Sequence, residues 1–399
     1  MCMIETGRGR IPFVALLAIW SVSALTSLPG LAVSPILDKL TKIFPDASEM
    51  EIQMLTSLPS LLIIPFVLLS GRLADRVGFM RMLDWGLWIF LLSGVLYMMC
   101  GSMWQLVAVS ALLGVGAGII IPLSTALVSR YFVGEYRTRQ FGYSSAITNA
   151  SLVVATALTG YLADIWWRLP FVVYLLPLLS IVLVQFLARQ KGVEPENSKK
   201  SSEGLNPNDN FALTLYSLYY FFITFLIVAI NVNLPFLMGE YGFGSDSAGV
   251  ITSLFFLAIM LPGFFLSPLL RVLKGRIAAT SLVLIGCGLL LVYLYKSLFV
   301  IAIGCVVAGL GYGVAQPYIY DRATVVAPRN TALVLAIVMA MNYIAIVVAP
   351  FVIDNLQTAL HDSSQRFAFG LNAALAFVAV VPVLLLRFIR ARRRKASGQ

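Results

Sequence analysis

Tyr312, Gln316 and Tyr320 recur every four residues, so a helix places a phenol, an amide and a second phenol on one face. Pro317 loosens that helix beside Gln316. Tyr216, Tyr220, Thr224 and Asn231 follow a similar line, and Trp20, Ser23 and Ser27 form another. Ser145, Thr148, Asn149 and Thr156 make a further set, with Asn342 and Tyr343 adjacent in a later segment. Groups of these types stack on rings and exchange a few hydrogen bonds with a neutral or amphipathic molecule. Bond-making chemistry has no comparable set. His361 is the sole histidine, with no Ser or Cys nucleophile placed by the sequence, and neither H-E-x-x-H nor G-x-S-x-G occurs. Cys2, Cys100, Cys287 and Cys305 lack paired spacing, so neither a disulfide framework nor a metal site is indicated, and no cofactor is expected.

The binding candidates are therefore Trp20, Ser23, Asn149, Tyr220, Asn231, Tyr312, Gln316 and Asn342. Each has a structural alternative. Amides can bond across a helix interface for about 1 kcal/mol or less, hydroxyls can bond back to their own helix, and rings can simply pack or sit in an interfacial belt. Trp166 and Trp167, ahead of Arg168, are expected to be belt residues, and Gly114 and Gly118 to allow close helix packing.

The elements that must position these groups are read from composition. The chain has 399 residues, 60% of them hydrophobic and 12% charged, with a mean hydropathy of +0.91. A soluble domain carries roughly twice that charge. Twelve apolar runs stand out, at 11–37, 52–70, 83–100, 106–128, 141–163, 170–187, 211–238, 248–270, 278–295, 299–320, 331–353 and 367–386. About 20 residues of helix cross a hydrocarbon core, and continuous rather than alternating runs exclude a β-barrel. The expectation is an all-α polytopic membrane protein of twelve transmembrane helices in two six-helix lobes. The polar segment 188–210 reads as a flexible linker between an N-terminal lobe, 1–187, and a C-terminal lobe with a basic tail, 211–399. Parallel repeats of this kind are related by an axis along the membrane normal. The loops SGRLADRVGFMR and SPLLRVLKGRI, at matching positions, echo each other weakly.

The net charge of +10 raises the question of nucleic acid, but its distribution answers otherwise. With the N-terminus cytoplasmic, that side collects every Lys and Arg except Lys39, Lys42, Arg168, Lys296 and Arg366. The positive-inside rule then places both termini in the cytoplasm of an inner-membrane protein. The basic tail 387–395 fixes topology and touches anionic lipid head groups, and no nucleic-acid partner is expected. Arg8 and Arg10 precede an apolar run too long for a signal peptide, so a retained first helix is preferred. The 18 acids fall in loops, tails or helix ends, with none at mid-span. Buried intramembrane acids usually carry protons, which leaves Asp38, Asp84 and Asp321 at the span ends as proton-coupling candidates, or else transport without protons.

Residues 71–81, GRLADRVGFMR, form a short polar break between the second and third runs. Gly71 and Gly78 permit close approach and tight turning, and Asp75 sits among Arg72, Arg76 and Arg81. On its own this is a solvated loop that sets topology, or an acid paired locally or with a helix N-terminus. The pattern G-x-L-A-D-R-x-G between the second and third of twelve helices resembles the signature loop of the major facilitator superfamily. The resemblance implies a two-lobed bundle working by alternating access, with the first, fourth, seventh and tenth helices lining a cavity. It also implies that Gly71, Asp75, Arg76, Gly78 and Arg81 act in gating. Asp75 with Arg76 and Arg81 would latch the lobes near the start of the eleventh helix, at 328–331, where Asn330 or Thr331 can cap it. Proton-driven drug antiporters of that superfamily usually carry an Arg where this chain has Ser110, and a Gly-Pro pair where it has Ala155 and Thr156. The fifth run still ends in the family-like GYLAD, 160–164.

A cavity of aromatic, amide and hydroxyl groups without fixed charge suits neutral or amphipathic small molecules. The leading expectation is a monomeric transporter exporting lipophilic or amphiphilic compounds, coupled to protons. The alternatives are uptake or facilitated diffusion of a neutral solute such as a sugar or nucleoside and, more distantly, a receptor or a membrane-embedded enzyme.

Overall fold

The computed structural model describes residues 3–29, 40, 42–47, 49–188, 207–243, 245–326, 328, 330–361 and 364–396. Asp38 and residues 189–206 of the expected linker lie outside the described residues, as do the side chains of Asp75 and of the basic tail. Two short antiparallel strands, β1 (Met3–Glu5) and β2 (Arg10–Pro12), open the chain. The helices follow as α1 (Phe13–Leu25), α2 (Glu49–Val77), α3 (Phe79–Met99), α4 (Met103–Tyr131) and α5 (Gly134–Ile165). A 3-10 turn at Leu169–Leu175 leads into α6 (Pro177–Ala188), followed by α7 (Pro207–Val232), α8 (Leu234–Glu240), α9 (Ser245–Phe264) and α10 (Leu266–Leu273). The last four are α11 (Ile277–Leu294), α12 (Leu298–Val326), α13 (Thr331–Leu360) and α14 (Arg366–Ala396).

Eleven of the spans among the described residues are long and apolar enough to cross a membrane, and α1 adds a shorter apolar helix. Of the run expected to carry a first helix over 11–37, Phe13–Leu25 is helical, and residues 30–37 lie outside the described residues. After Leu25 the Thr26 N–H turns back to the Ser23 carbonyl at 3.2 Å, and Pro29 follows. Prolines also divide other runs. Pro235 separates α8 from α7, Pro268 separates α10 from α9, and Pro170 starts the sixth run as a 3-10 turn, because the ring removes a donor and crowds the carbonyl one turn back.

The polar break at 71–81 is not a loop. Leu73, Ala74 and the flanking arginines are good helix formers, so α2 continues to Val77. Only Gly78, at φ +103°, leaves the helix, in a conformation that a β-carbon resists, and α3 starts at the next residue.

Two compact units emerge, 1–218 with 319–344, and 219–318 with 345–399. In the first, α4 is enclosed between α2 and α3. A Cβ on Gly114 would stand 2.7 Å from the Pro59 carbonyl oxygen, one on Gly118 2.7 Å from the Phe66 Cβ, and one on Gly116 2.8 Å from the Phe90 nitrogen. Alternate residues of a helix point to opposite sides, so Gly114 and Gly118 seat α2 while Gly116 seats α3. The second unit uses α12 in the same way. A Cβ on Gly309 would stand 2.7 Å from the Phe255 carbonyl oxygen of α9, and one on Gly311 2.8 Å from the Ser281 carbonyl oxygen of α11. Gly313 again meets α9, at Ile259.

Gly114→Ala should therefore force α2 away from α4 and cost about 1–3 kcal/mol. Gly160→Ala, at a helical glycine with open space around it, should instead raise stability by about 0.4–1 kcal/mol. Thermal unfolding of the two purified variants in detergent makes the comparison.

Candidate functional site

In the second unit, α7 and α12 bring together four of the groups with binding chemistry. Gln316 Nε2 donates to the Tyr220 hydroxyl at 3.1 Å, and the Tyr312 hydroxyl reaches Tyr220 at 3.5 Å and Thr224 Oγ1 at 3.4 Å. The Tyr220 and Tyr312 rings stack with centroids 6.3 Å apart. Tyr220 and Thr224 are one turn apart on α7, and Tyr312 and Gln316 one turn apart on α12, so each helix contributes one stripe. Tyr220, Thr224 and Tyr312 are buried and Gln316 is half-buried. Asn231, on the same line of α7, is exposed near its end and is not part of this cluster.

In the first unit, α1 and α5 are joined by a second polar seam. Trp20 Nε1 donates to Gln140 Oε1 at 3.1 Å, and its ring meets Tyr143 edge-on at 6.1 Å. Thr148 Oγ1 donates to the Ser23 carbonyl at 2.9 Å, Ser27 Oγ donates to the Thr148 carbonyl at 2.7 Å, and the Ser23 hydroxyl lies 3.2 Å from that of Ser124 on α4. Asn149 donates to the carbonyl of Ser145 one turn back at 2.8 Å, which spends one amide proton on its own helix. Asn342 and Tyr343 are half-buried on α13.

The charged groups make a third cluster in the first unit, where α5 begins and α12 ends. Asp321 Oδ1 accepts from Arg137 Nε at 3.1 Å and from Thr138 Oγ1 at 3.0 Å. The two side chains of the ion pair are only 15% and 7% exposed. One helical turn away from this pair, Tyr320 meets the Phe141 ring at 6.3 Å. Nearby, α2 approaches the start of α13 at Gly71, where a Cβ would strike Ala336 and come within 3.2 Å of the Ala332 carbonyl oxygen. Arg76 and Arg81 are exposed, and Asp84 is half-buried in the second turn of α3. The Arg130 guanidinium lies 4.2 Å over the Phe79 ring, bracing the helix start that follows Gly78.

Helical spans, glycine-seated packing and paired polar seams narrow the families to which this chain could belong. The model of the Major Facilitator Superfamily matches residues 13–350 and again 216–399. The chain belongs to the major facilitator superfamily. It is a multi-pass membrane protein of a family of transporters. Part of it is similar to the quinolone resistance protein NorA of Staphylococcus aureus, 28% identical over 115 residues, or 29% of each protein. Another relative is the multidrug transporter protein MdtP of Bacillus subtilis, 30% identical over 133 residues, 33% of this chain and 24% of that one. The chain thus spans less than a third of the length of the curated relatives it matches. The human organic anion transporter MFSD10 has the same fold, with a TM-score of 0.71 over 93% of this chain and 97% of that one at 16% identity. So does the proton:xylose symporter XylE, with 0.72 over 92% and 94% at 14% identity.

Reasoning from sequence missed Arg137 and Thr138, which count there only as charge and polarity at a span end, and missed Gln140 and Ser124 as partners. GVGAGIIIP in α4 and GLGYGVAQP in α12 share three glycines and a proline at identical spacing, a far stronger internal echo in this superfamily member than the loops compared above.

Neutralising one member of the buried pair should cost more than neutralising both. Asp321→Asn and Arg137→Gln each leave an unmatched charge and should lose about 1–3 kcal/mol, whereas the double variant should recover at least half of that. Thermal denaturation of the three variants tests it.

Proposed function

We propose that the protein exports small lipophilic or amphiphilic compounds, such as drugs or metabolites, across an inner membrane by alternating access driven by protons. The observation that carries the reading is the uncharged Tyr220–Thr224–Tyr312–Gln316 cluster. It offers stacked rings and hydroxyls with one half-buried amide, which suits an amphiphile better than an ion. The likeness to NorA and MdtP supports the outward direction. The distribution of Lys and Arg supports a topology with both termini cytoplasmic, and the chain acts as a monomer.

In this reading the Arg137–Asp321 pair and the Gly71 contact with α13 form a cytoplasmic lock. Asp75, Arg76, Gly78 and Arg81 act with them in gating. Asp321, the acid of that pair, is the first of the coupling sites. Asp38 and Asp84 are the other coupling sites.

Purified protein in proteoliposomes should move a fluorescent uncharged amphiphile against its gradient when a pH gradient is imposed. A flux indifferent to that gradient would overturn proton coupling and favour facilitated diffusion of a neutral solute. Gln316→Ala should raise the apparent KM about three- to tenfold with little change in maximal rate, as for removal of a hydrogen bond made in the ground state. Equal losses in expression and rate would instead assign Gln316 to packing.

A further inference from the structure

The first twelve residues are tied to the segment that leads into Arg137. The backbone N–H of Val133 donates to the Thr6 carbonyl at 3.0 Å, and the Tyr136 hydroxyl donates to Glu5 Oε2 at 2.9 Å. Arg10 holds the other Glu5 oxygen at 3.3 Å. The turn itself is internally fixed. Thr6 is fully buried, its N–H donates to the Gly9 carbonyl at 2.9 Å, and its hydroxyl accepts from the Gly9 N–H at 3.1 Å. Gly7 has φ +83°, and a Cβ there would stand 2.8 Å from Val133 Cγ2 and 3.1 Å from the Val133 carbonyl oxygen. The hairpin is therefore seated against the α4–α5 turn rather than trailing in solvent. The hydroxyl of Tyr136, then Arg10, draws the Glu5 carboxyl below its usual range, so the acceptor is ionised at neutral pH.

The turn so held spans Val133 to Tyr136, and the next two residues are Arg137 and Thr138, both donors to Asp321. Gly134, at φ +58°, opens α5 between the Val133 and Tyr136 contacts in a conformation that a β-carbon resists. A guanidinium and a hydroxyl must both meet one carboxylate oxygen, which constrains the setting of the first turn of α5, and the hairpin bears on that same turn at Val133 and Tyr136.

We propose that the N-terminal hairpin is a positioning element for the lock, with Glu5 and Thr6 as positioning residues that act through Arg137 and Thr138 on Asp321. The inference rests on the reading of the Arg137–Asp321 pair as a lock. It assigns a part in transport to residues that touch neither substrate nor the ion pair.

The test is a double-mutant cycle on transport in proteoliposomes. Glu5→Ala removes the carboxylate and Gly7→Ala wedges the hairpin off Val133; each should lower the maximal rate roughly two- to fivefold at unchanged KM, the scale of an exposed contact. Glu5→Gln, which keeps an acceptor for Tyr136, should restore most of the rate. In an Asp321→Asn background, both Ala substitutions should have no further effect. Effects that multiply in that background, or a wild-type rate for both variants, would overturn the positioning role. Tyr136→Phe, which deletes one hydroxyl, repeats the cycle from the α5 side if the hairpin variants lose folded protein. If Asp321→Asn alone transports like the wild type, the lock reading fails, and that result is distinct from a failure of the hairpin to couple to an intact lock.

Discussion

In hydrocarbon, helices gain nothing by hiding apolar surface from one another, since lipid tails are as apolar as Leu. Association has to come from close backbone contact. The other features of this protein depend on how that contact is made. In each unit one helix gives up side chains on two opposite faces so that two neighbours can lie against its backbone. In α4 the residues are Gly114, Gly116 and Gly118; in α12 they are Gly309, Gly311 and Gly313. The partners correspond as well, because α4 seats the second and third spans and α12 seats the eighth and ninth. With these two helices fixed as backbones on which others rest, the remaining faces are free to carry polar groups.

Those polar groups are arranged so that they satisfy one another. The seam from Trp20 to Gln140 and from Thr148 to the Ser23 carbonyl joins α1 to α5 without a formal charge. The cluster at Tyr220 and Tyr312 does the same for α7 and α12. Where α5 begins, the first unit buries opposite charges, and there Asp321 receives both a guanidinium and a hydroxyl. A buried pair of this kind adds little net stability relative to apolar packing, but it is costly to break halfway. That asymmetry ties α5 to α12 as a matched pair, since removing either member leaves the other buried and unpaired.

The sequence made much of this legible. The apolar runs located nearly every helix, because their length and continuity are dictated by the membrane, and the alternating Tyr, Gln and Thr of the seventh and tenth runs pointed to the cluster that forms. The linkage of Arg137 to Asp321 was not legible, since nothing in the spacing of two distant polar residues says that they meet. The charges of residues 71–77 suggest a loop, yet Leu73 and Ala74 favour continuation of the helix and Gly78 stops it. The hairpin escaped notice for a different reason. Its strands are three residues each, too short for alternation to register, and it is held largely by its docking on Val133 and Tyr136 rather than by its own pairing.

The duplication also locates where the two halves parted company. Aligned on their glycines and proline, α4 and α12 present the same backbone, but the side chains between those fixed points differ in kind. Where α12 carries Tyr312, α4 carries Ala117; where α12 carries Gln316, α4 carries Ile121; and Asp321 corresponds to Ala126. The scaffold positions are held in both copies because a Cβ there would separate the helices. The positions that differ lie between the shared glycines and proline or beyond them, and there one copy carries polar groups where the other carries apolar ones. The tenth span therefore holds the chemistry of its pair: an amide and a phenol toward the neutral cluster, and a carboxylate toward Arg137. Its counterpart, the fourth span, is left to hold α2 and α3 in place.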